Sequence, residues 1–411
     1  MAAPCSRSPP PPLRTPELRD SHRLIAARGL RGFADGAVSV VLSTYLLGLG
    51  FSALEVGALA TATLVGSALL TLGVGLAGGR FAPRGVLLAA CALMAATGLG
   101  FASVAAFVPL FLIAFVGTLN PTAGDVSVFL PTEQALLAES HDVRTRTGLF
   151  ARYNVAGALL GAAGSLAAGL PELAAKQFGV ELESALRVVF LGYALVALPL
   201  VALYLGLGPA AARPREASLR APLAHSRAIV LRLSALFTLD SFGGGFTVQA
   251  ILALWLHQRF QLSLAEVGAF FFAASSLAAF SQFASAWLAA RIGLVETMVF
   301  THLPANALLI AAVFMPSASL ALACLLIRGA LSQMDVPARQ SYVMAVVPPE
   351  ERAAAASVTN VPRSLGGALG PFLAGAMLQH SSFGWPLLCA GLLKIVYDLL
   401  LLWQFRRVTP L

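Results

Sequence analysis

The stretch SALEVGA at residues 52–58 returns as SLAEVGA at residues 263–269, an offset of 211 residues. The same offset pairs Glu55 with Glu266, Gly57 with Gly268 and Arg80 with Arg291. Only 11% of the chain is charged, so matched glutamates and arginines are harder to attribute to chance than matched glycines. Self-similarity at a fixed offset is typical of a duplicated structural unit.

The composition indicates what this unit faces. Of the 411 residues, 58% are hydrophobic, and the charged fraction is less than half of the roughly 25% found in soluble domains. So few charges cannot cover a surface that faces water, and we expect a membrane protein. The net charge of +8 comes from arginines in short gaps between apolar segments. A nucleic-acid site would cluster them on one element, so we expect no nucleic-acid partner.

Twelve segments are long and apolar enough to cross a membrane as helices, which takes about 20 residues each. The first six are 24–49, 53–77, 86–104, 107–138, 147–169 and 185–207, and the last six are 228–256, 263–289, 295–315, 318–346, 354–378 and 384–404. Span four is long enough to be bent, with the kink predicted at Asn120-Pro121.

These spans divide the chain into five parts. Residues 1–23 are rich in proline and charge and are predicted to be a disordered tail. Two helical bundles follow, 24–207 and 228–404, joined by a linker at 208–227 and ended by a tail at 405–411. A second register, at an offset of 206, pairs Pro131 with Pro337, Gln134 with Gln340, Asn154 with Asn360, Gly161 with Gly367 and Gly164 with Gly370. The bundles therefore form a parallel repeat.

Basic residues predict the orientation. Arginines occupy the N-terminal tail, the gaps after spans two and four, the linker and the C-terminal tail, whereas the gaps 50–52, 105–106, 316–317 and 379–383 contain no Lys or Arg. By the positive-inside rule both termini are cytoplasmic. We expect a multi-pass protein of a bacterial inner (plasma) membrane.

This architecture resembles the major facilitator superfamily. The family's loop between spans two and three usually reads Gly-x-x-x-Asp-Arg-x-Gly-Arg-Arg; here GLAGGRFAPR (75–84) keeps Arg80 and Arg84, and the second copy AWLAARIGLV (286–295) keeps Arg291. Both copies lack the family's acidic residue. The resemblance implies an all-α membrane protein of twelve transmembrane helices in two pseudo-symmetric six-helix bundles. It also implies a gating role for these three arginines.

Polar residues inside spans are the candidate substrate and proton pathway, because a charge at mid-span costs about 2.5–3.5 kcal/mol on insertion scales. They are Arg31 and Asp35 in span one, Asp125 and Glu133 in span four, Arg152 and Asn154 in span five, Asp240 in span seven, Asp335 and Arg339 in span ten, and Asn360 and Arg363 in span eleven. The alternative roles are structural: an ion pair of Asp35 with Arg31, and interhelical hydrogen bonds for the asparagines.

We therefore predict a secondary active transporter of a small molecule, working by alternating access and coupled to protons. No nucleotide-binding or hydrolase motif stands in the sequence, and the histidines fall near predicted span ends, so we expect no enzyme activity, cofactor or metal site. GGALGPFLAG (366–375) resembles the Gly-x-x-x-Gly-Pro pattern of many efflux members, which favours efflux of amphipathic compounds. We expect the protein to be a monomer. An uptake permease or uniporter for a small metabolite is the alternative. A non-transporting membrane sensor or scaffold is the alternative of another class.

Overall fold

The computed structural model describes residues 15–77, 80–122, 127–139, 143–213, 226–348 and 351–406, and these residues are almost entirely helical. The helices are α1 (Thr15–Gly48), α2 (Ala53–Leu76), α3 (Pro83–Ser103), α4 (Phe107–Val116), α5 (Phe129–Glu139), α6 (Val143–Ala167), α7 (Leu170–Phe178), α8 (Leu182–Leu205), α9 (Arg227–Gly245), α10 (Gln249–Phe260), α11 (Leu264–Ile292), α12 (Leu294–Phe314), α13 (Ala318–Ser332), α14 (Asp335–Ala345), α15 (Arg352–His380) and α16 (Trp385–Phe405). The predicted all-α class is confirmed. Most of the predicted N-terminal tail and linker, residues 407–411 and Asp125 lie outside the described residues.

Ten helical runs in the described part are long and apolar enough to cross a membrane. The pair α4 and α5 and the helix α15 occupy the places of predicted spans four and eleven. The arrangement is consistent with twelve spans.

Three of these spans are interrupted. Span four breaks between α4 and α5 at the predicted place, where the side-chain oxygen of Asn120 accepts hydrogen bonds from the amide (3.0 Å) and hydroxyl (2.7 Å) of Thr122. Spans seven and ten, predicted as continuous, break between α9 and α10 and between α13 and α14. In span seven the amide of Phe246 donates to the oxygen of Gly243 at 3.3 Å, a tight turn that consecutive glycines favour.

Two elements differ from the sequence prediction outside the spans. Helix α1 begins at Thr15, so residues 15–23, predicted as part of the disordered tail, are helical. They are tied to the end of span six, because Asp20 accepts from the Gly208 amide at 2.8 Å and Arg23 donates to the oxygen of Gly206. Helix α7, which was not predicted, exposes Leu170 and Phe178.

The two repeated stretches are both helix starts. Ser52 caps α2 and Ser263 caps α11, and each serine hydroxyl accepts from the amide of the glutamate three residues later at 3.3 Å. In return each carboxylate, Glu55 or Glu266, accepts from the serine amide at 2.8 Å. Reciprocal bonds of this kind form a capping box. The sequence repeat is therefore a repeated local structure.

Glycines bring helices into backbone contact in the same way in both halves of the chain. A methyl group added to Gly36 of α1 would overlap the backbone oxygen of Gly161 of α6, and one added to Gly245 of α9 would overlap that of Gly367 of α15. Small residues permit such close approach between membrane helices. Gly161 and Gly367 are partners in the 206-residue register, so the repeat preserves this contact.

The contact predicts a position-specific response to one added methyl group. We expect Gly36→Ala to lower the apparent Tm by several degrees, because α1 and α6 must separate, although alanine is the better helix former by about 1 kcal/mol. Gly73→Ala is the control, since a methyl group there meets nothing within 4 Å. The measurement is thermal unfolding in detergent followed by intrinsic fluorescence. Equal Tm values for the two variants would contradict the packing described.

Candidate functional site

A buried ion pair joins spans one and four. Arg31 of α1 forms a salt bridge with Glu133 of α5, and the two side chains are only 2% and 0% exposed. The hydroxyl of Tyr153 donates to Glu133 at 2.5 Å and that of Tyr204 at 2.6 Å, so both carboxylate oxygens are bonded. The Arg31 guanidinium also lies 4.4 Å from the centre of the Phe129 ring. These contacts neutralise the two charges inside the first half.

A second network surrounds Asp240 of α9. The ammonium of Lys394 lies 2.6 Å from one carboxylate oxygen, and a guanidinium nitrogen of Arg339 lies 3.2 Å from the other. Arg339 also pairs with Asp335, four residues earlier on α14, at 3.4 Å. The structure thus brings together the three residues that the sequence selected in spans seven and ten, and it adds Lys394.

A histidine extends this network to a second carboxylate. Nδ1 of His302 lies 2.9 Å from Asp398, and Nε2 of the same ring lies 3.8 Å from Asp240. The amide of Asn306 donates to the other oxygen of Asp398 at 2.9 Å. All four side chains are buried. His302 lies well inside α12 (Leu294–Phe314), so the prediction that it lies near a span end was wrong.

The two networks occupy corresponding positions with the charges exchanged. Arg31 in span one corresponds to Asp240 in span seven, 209 residues later, the same offset that separates the contact glycines Gly36 and Gly245. Glu133 in span four corresponds to Arg339 in span ten, 206 residues later. Each pair joins the first and fourth span of its half. A search for identical residues does not detect this relation, because acid and base have changed places.

Two adjoining cavities lie beside these networks. The first, of about 440 Å³, has the charged lining residues Asp240, Arg328, Arg363 and Lys394. The second, of about 370 Å³, has the polar lining residues Arg28, Gln134, Asn154, Gln282 and Gln340, several of them amides. Both cavities are lined by Gln249 and Gln333. Together they form a polar space between the first and second halves of the chain.

The predicted pathway residues fall into three groups. Asp240, Arg363 and Asn154 line a cavity, and Asp335 and Arg339 connect to Asp240. Arg31 and Glu133 are enclosed within the first half. Partly buried Asp35 and exposed Arg152 and Asn360 are outside the lining of both cavities. Their part in transport stays a prediction. Among the described residues, no group of three or more His, Cys, Asp or Glu could hold a metal ion.

The three arginines predicted to act in gating have separate environments. Arg84 donates to the backbone oxygens of Leu207 and, at 3.3 Å, Gly208, and so ties the start of α3 to the end of span six. Arg80 is exposed. The Arg291 guanidinium lies 4.1 Å from the centre of the Trp287 ring on its own helix. None of these contacts of Arg84 and Arg291 joins the two halves.

The halves contact each other on the side of the membrane opposite the described chain ends. The Leu54 amide at the start of α2 donates to Gln379 at the end of α15, at 3.3 Å. The Leu264 amide at the start of α11 donates to Glu172 of α7, at 2.7 Å. Each capped helix start thus receives a side chain from the other half. The second cavity extends towards the side of the membrane where the described chain ends lie, because its lining residue Gln340 is in the part of span ten nearest to that side.

Comparison with known proteins gives consistent matches. A family model described as Major Facilitator Superfamily matches residues 24–361 and 241–411. An uncharacterized membrane protein of Saccharomyces cerevisiae, YJR124C, is 23% identical over 428 residues, covering 95% of each chain. A bacterial homologue of the iron transporter ferroportin, in an inward-facing state, has a TM-score of 0.73 at 16% identity, with 94% of this chain and 98% of that chain covered. A bacterial homologue of the human lysosomal transporter Spinster, inward-facing and occupied, has a TM-score of 0.70 at 17% identity, with 94% and 96% covered.

The buried pair predicts a large cost for removing one charge. We expect Glu133→Gln to destabilise the protein by about 3–5 kcal/mol, because Arg31 loses a buried carboxylate. Replacing both Arg31 and Glu133 with glutamine should recover much of the lost stability, because no unpaired charge then remains. Glu183→Gln is the control: its pair with Arg187 is partly exposed and contributes about 0–1 kcal/mol. The measurement is the apparent Tm in detergent. Similar Tm values for Glu133→Gln and Glu183→Gln would refute the role given to this pair.

Proposed function

Since the chain belongs to the Major Facilitator Superfamily, we propose that it is a secondary active transporter that moves a small molecule by alternating access, coupled to protons. The observation that carries this proposal is the polar space between the halves, closed on one side and adjoining the carboxylate network of Asp240. The proposed role is not enzymatic and needs no cofactor.

Alternating access requires contacts between the halves that can open. The hydrogen bonds of Leu54 with Gln379 and of Leu264 with Glu172 are suited to this, because each joins a side chain to a single backbone amide. Their loss would let the halves separate on the closed side. The two solved structures compared above are inward-facing, which agrees with a cavity that extends towards the chain ends.

Proton coupling is supported by the surroundings of Asp240. Its carboxylate lines the first cavity and faces Lys394, Arg339 and His302, and His302 in turn contacts Asp398. A proton on Asp240 would weaken its ion pairs with Lys394 and Arg339. Protonation would then change the contacts among spans seven, ten and twelve, and through them the preferred conformation.

Further parts of the proposal follow from the sequence. We propose export of amphipathic compounds in exchange for protons, with both termini cytoplasmic and the protein acting as a monomer without a nucleic-acid partner. A bacterial inner membrane stays a prediction, and the similar yeast protein extends the comparison to a eukaryote. An uptake permease or uniporter is the second candidate. A non-transporting sensor or scaffold would show no flux of any compound.

The closed side gives the first functional prediction. We expect Glu172→Gln to weaken the contact with the start of α11 by about 1 kcal/mol, about a fivefold change in population, because an anionic acceptor at a helix N-terminus is lost. The readout is labelling of Ala265→Cys, in a cysteine-free background, by a membrane-impermeant maleimide added on that side. Labelling should be faster with Glu172→Gln. Glu183→Gln, whose pair lies within one helix, should leave it unchanged. Unchanged labelling in both variants would refute this gate.

Asp240 gives the second functional prediction. In liposomes with an internal pH dye, lipophilic cations, sugars, organic acids and amino acids are added in turn under a proton gradient. We expect one class to produce proton flux that Asp240→Asn abolishes, because the amide cannot carry the proton. Exchange of the labelled compound across the membrane should persist in this variant, and Glu183→Gln should behave as wild type. Proton flux retained by Asp240→Asn would contradict the coupling role.

A further inference from the structure

We propose that the first cavity binds an amphipathic organic anion, with its charged group held by Arg328 and Arg363. This substrate class rests on the transport function proposed above. Arg328 belongs to α13 and was not among the residues selected from the sequence, whereas Arg363 belongs to α15 and was selected. Both arginines line the cavity.

The charges of the lining do not balance. Three cations, Arg328, Arg363 and Lys394, face one acid, Asp240. Asp240 is already bonded to Lys394 at 2.6 Å and to Arg339 at 3.2 Å. Within the described part of the chain Arg328 and Arg363 make no ion pair, and their Nε atoms are buried without a hydrogen-bond partner. Two positive charges therefore remain at the cavity wall.

The fully buried cations of the described spans differ from these two partly buried arginines. Arg31 pairs with Glu133, Arg339 with two aspartates, and Lys394 with Asp240. A cation inside the membrane is costly unless it has a counter-charge or water. Arg328 and Arg363 depart from the pattern, and they do so at the cavity. The missing counter-charge is supplied by what the cavity binds.

The side chains also indicate which anionic groups fit. A guanidinium presents its donors in a planar fork that matches two oxygens of a carboxylate, sulfonate or phosphate. Polar hydrogen-bonding groups accompany the arginines in the lining, including Ser364 and Gln333. A cationic substrate would be repelled by the surplus positive charge. A neutral sugar would leave both guanidinium groups without a counter-charge.

The rest of the lining is apolar. Phe270 and Phe271, with ring centres 5.0 Å apart, line the cavity together with Leu252 and Leu325. The volume of about 440 Å³ holds a small ligand. A ligand with one anionic group and one aromatic or aliphatic body fits this cavity. The anionic group would contact the arginines, and the apolar body would pack against the phenylalanines. This gives the proposed substrate its amphipathic character.

The test uses three probes of one shape: naphthalene-1-sulfonate, neutral 1-naphthylmethanol and cationic 1-naphthylmethylammonium. Binding is measured with radiolabelled probe and purified full-length protein in detergent. We expect the sulfonate to bind best and Arg328→Gln or Arg363→Gln to weaken it by about tenfold or more, since each removes a charge-assisted contact. Arg328→Lys keeps the charge and should lose less. Arg232→Gln, an exposed arginine of the same half, should bind as wild type. Naphthoate and naphthyl phosphate then distinguish carboxylate from phosphate recognition.

The outcomes separate this proposal from the transport function. Sulfonate binding that is unchanged in Arg328→Gln and Arg363→Gln, both with wild-type Tm, overturns the anion site, as does tighter binding of the cation. Liposomes then test transport of the same sulfonate. Arginine-dependent binding without flux supports the anion site and counts against transport. Flux of the neutral or cationic probe without arginine dependence supports transport and overturns the anion site.

Discussion

A charge within the hydrocarbon core of a membrane has to find its counter-charge inside the protein, and the arrangement of this chain depends on that constraint. In the first half Arg31 and Glu133 meet the constraint fully, because two tyrosine hydroxyls and an aromatic ring complete their surroundings. In the second half it is met only in part. Asp240 pairs with Lys394 and Arg339, whereas Arg328 and Arg363 at the cavity have no ion pair within the described residues. Both halves thus have an ion pair between their first and fourth spans, and in the second half two described arginines at the cavity are left without a counter-charge.

This difference follows from how a duplicated unit diverges. Helix packing constrains shape, so the capping boxes and the glycine contacts persist in both halves. An ion pair requires only that its two charges are opposite. Acid and base can therefore change places, and the pair stays neutral. Arg31 with Glu133 and Asp240 with Arg339 are such an exchange. It leaves an acid, and not a base, on span seven at the cavity wall.

The sequence predicted the features that depend on the length of apolar segments and on identical residues in the two repeats. It predicted contacts between side chains less well. The all-α class, the family resemblance and the interruption at Asn120-Pro121 were all accessible, because they depend on segment length, offset and proline. Asp240, Asp335 and Arg339 were selected because charges are rare in spans. His302, Lys394 and Asp398 were missed, although the last two stand four residues apart on one face of α16. Their importance depends on which helices meet α16, and no local pattern contains that information.

The break in span seven connects the charged site with the contact between halves. Asp240 precedes the break, and Gln249 begins the helix that follows it. Gln249 lines both cavities and donates to the hydroxyl of Ser165 in the first half at 2.9 Å. The next amide, of Ala250, donates to the backbone oxygen of Pro121, in the break of span four, at 3.1 Å. A change in the ion pairs of Asp240, on α9, therefore acts on a span whose second part, α10, is hydrogen-bonded to the other half. The breaks in spans four and seven are irregular backbone within the membrane, and they lie where they face the cavity and the opposite half.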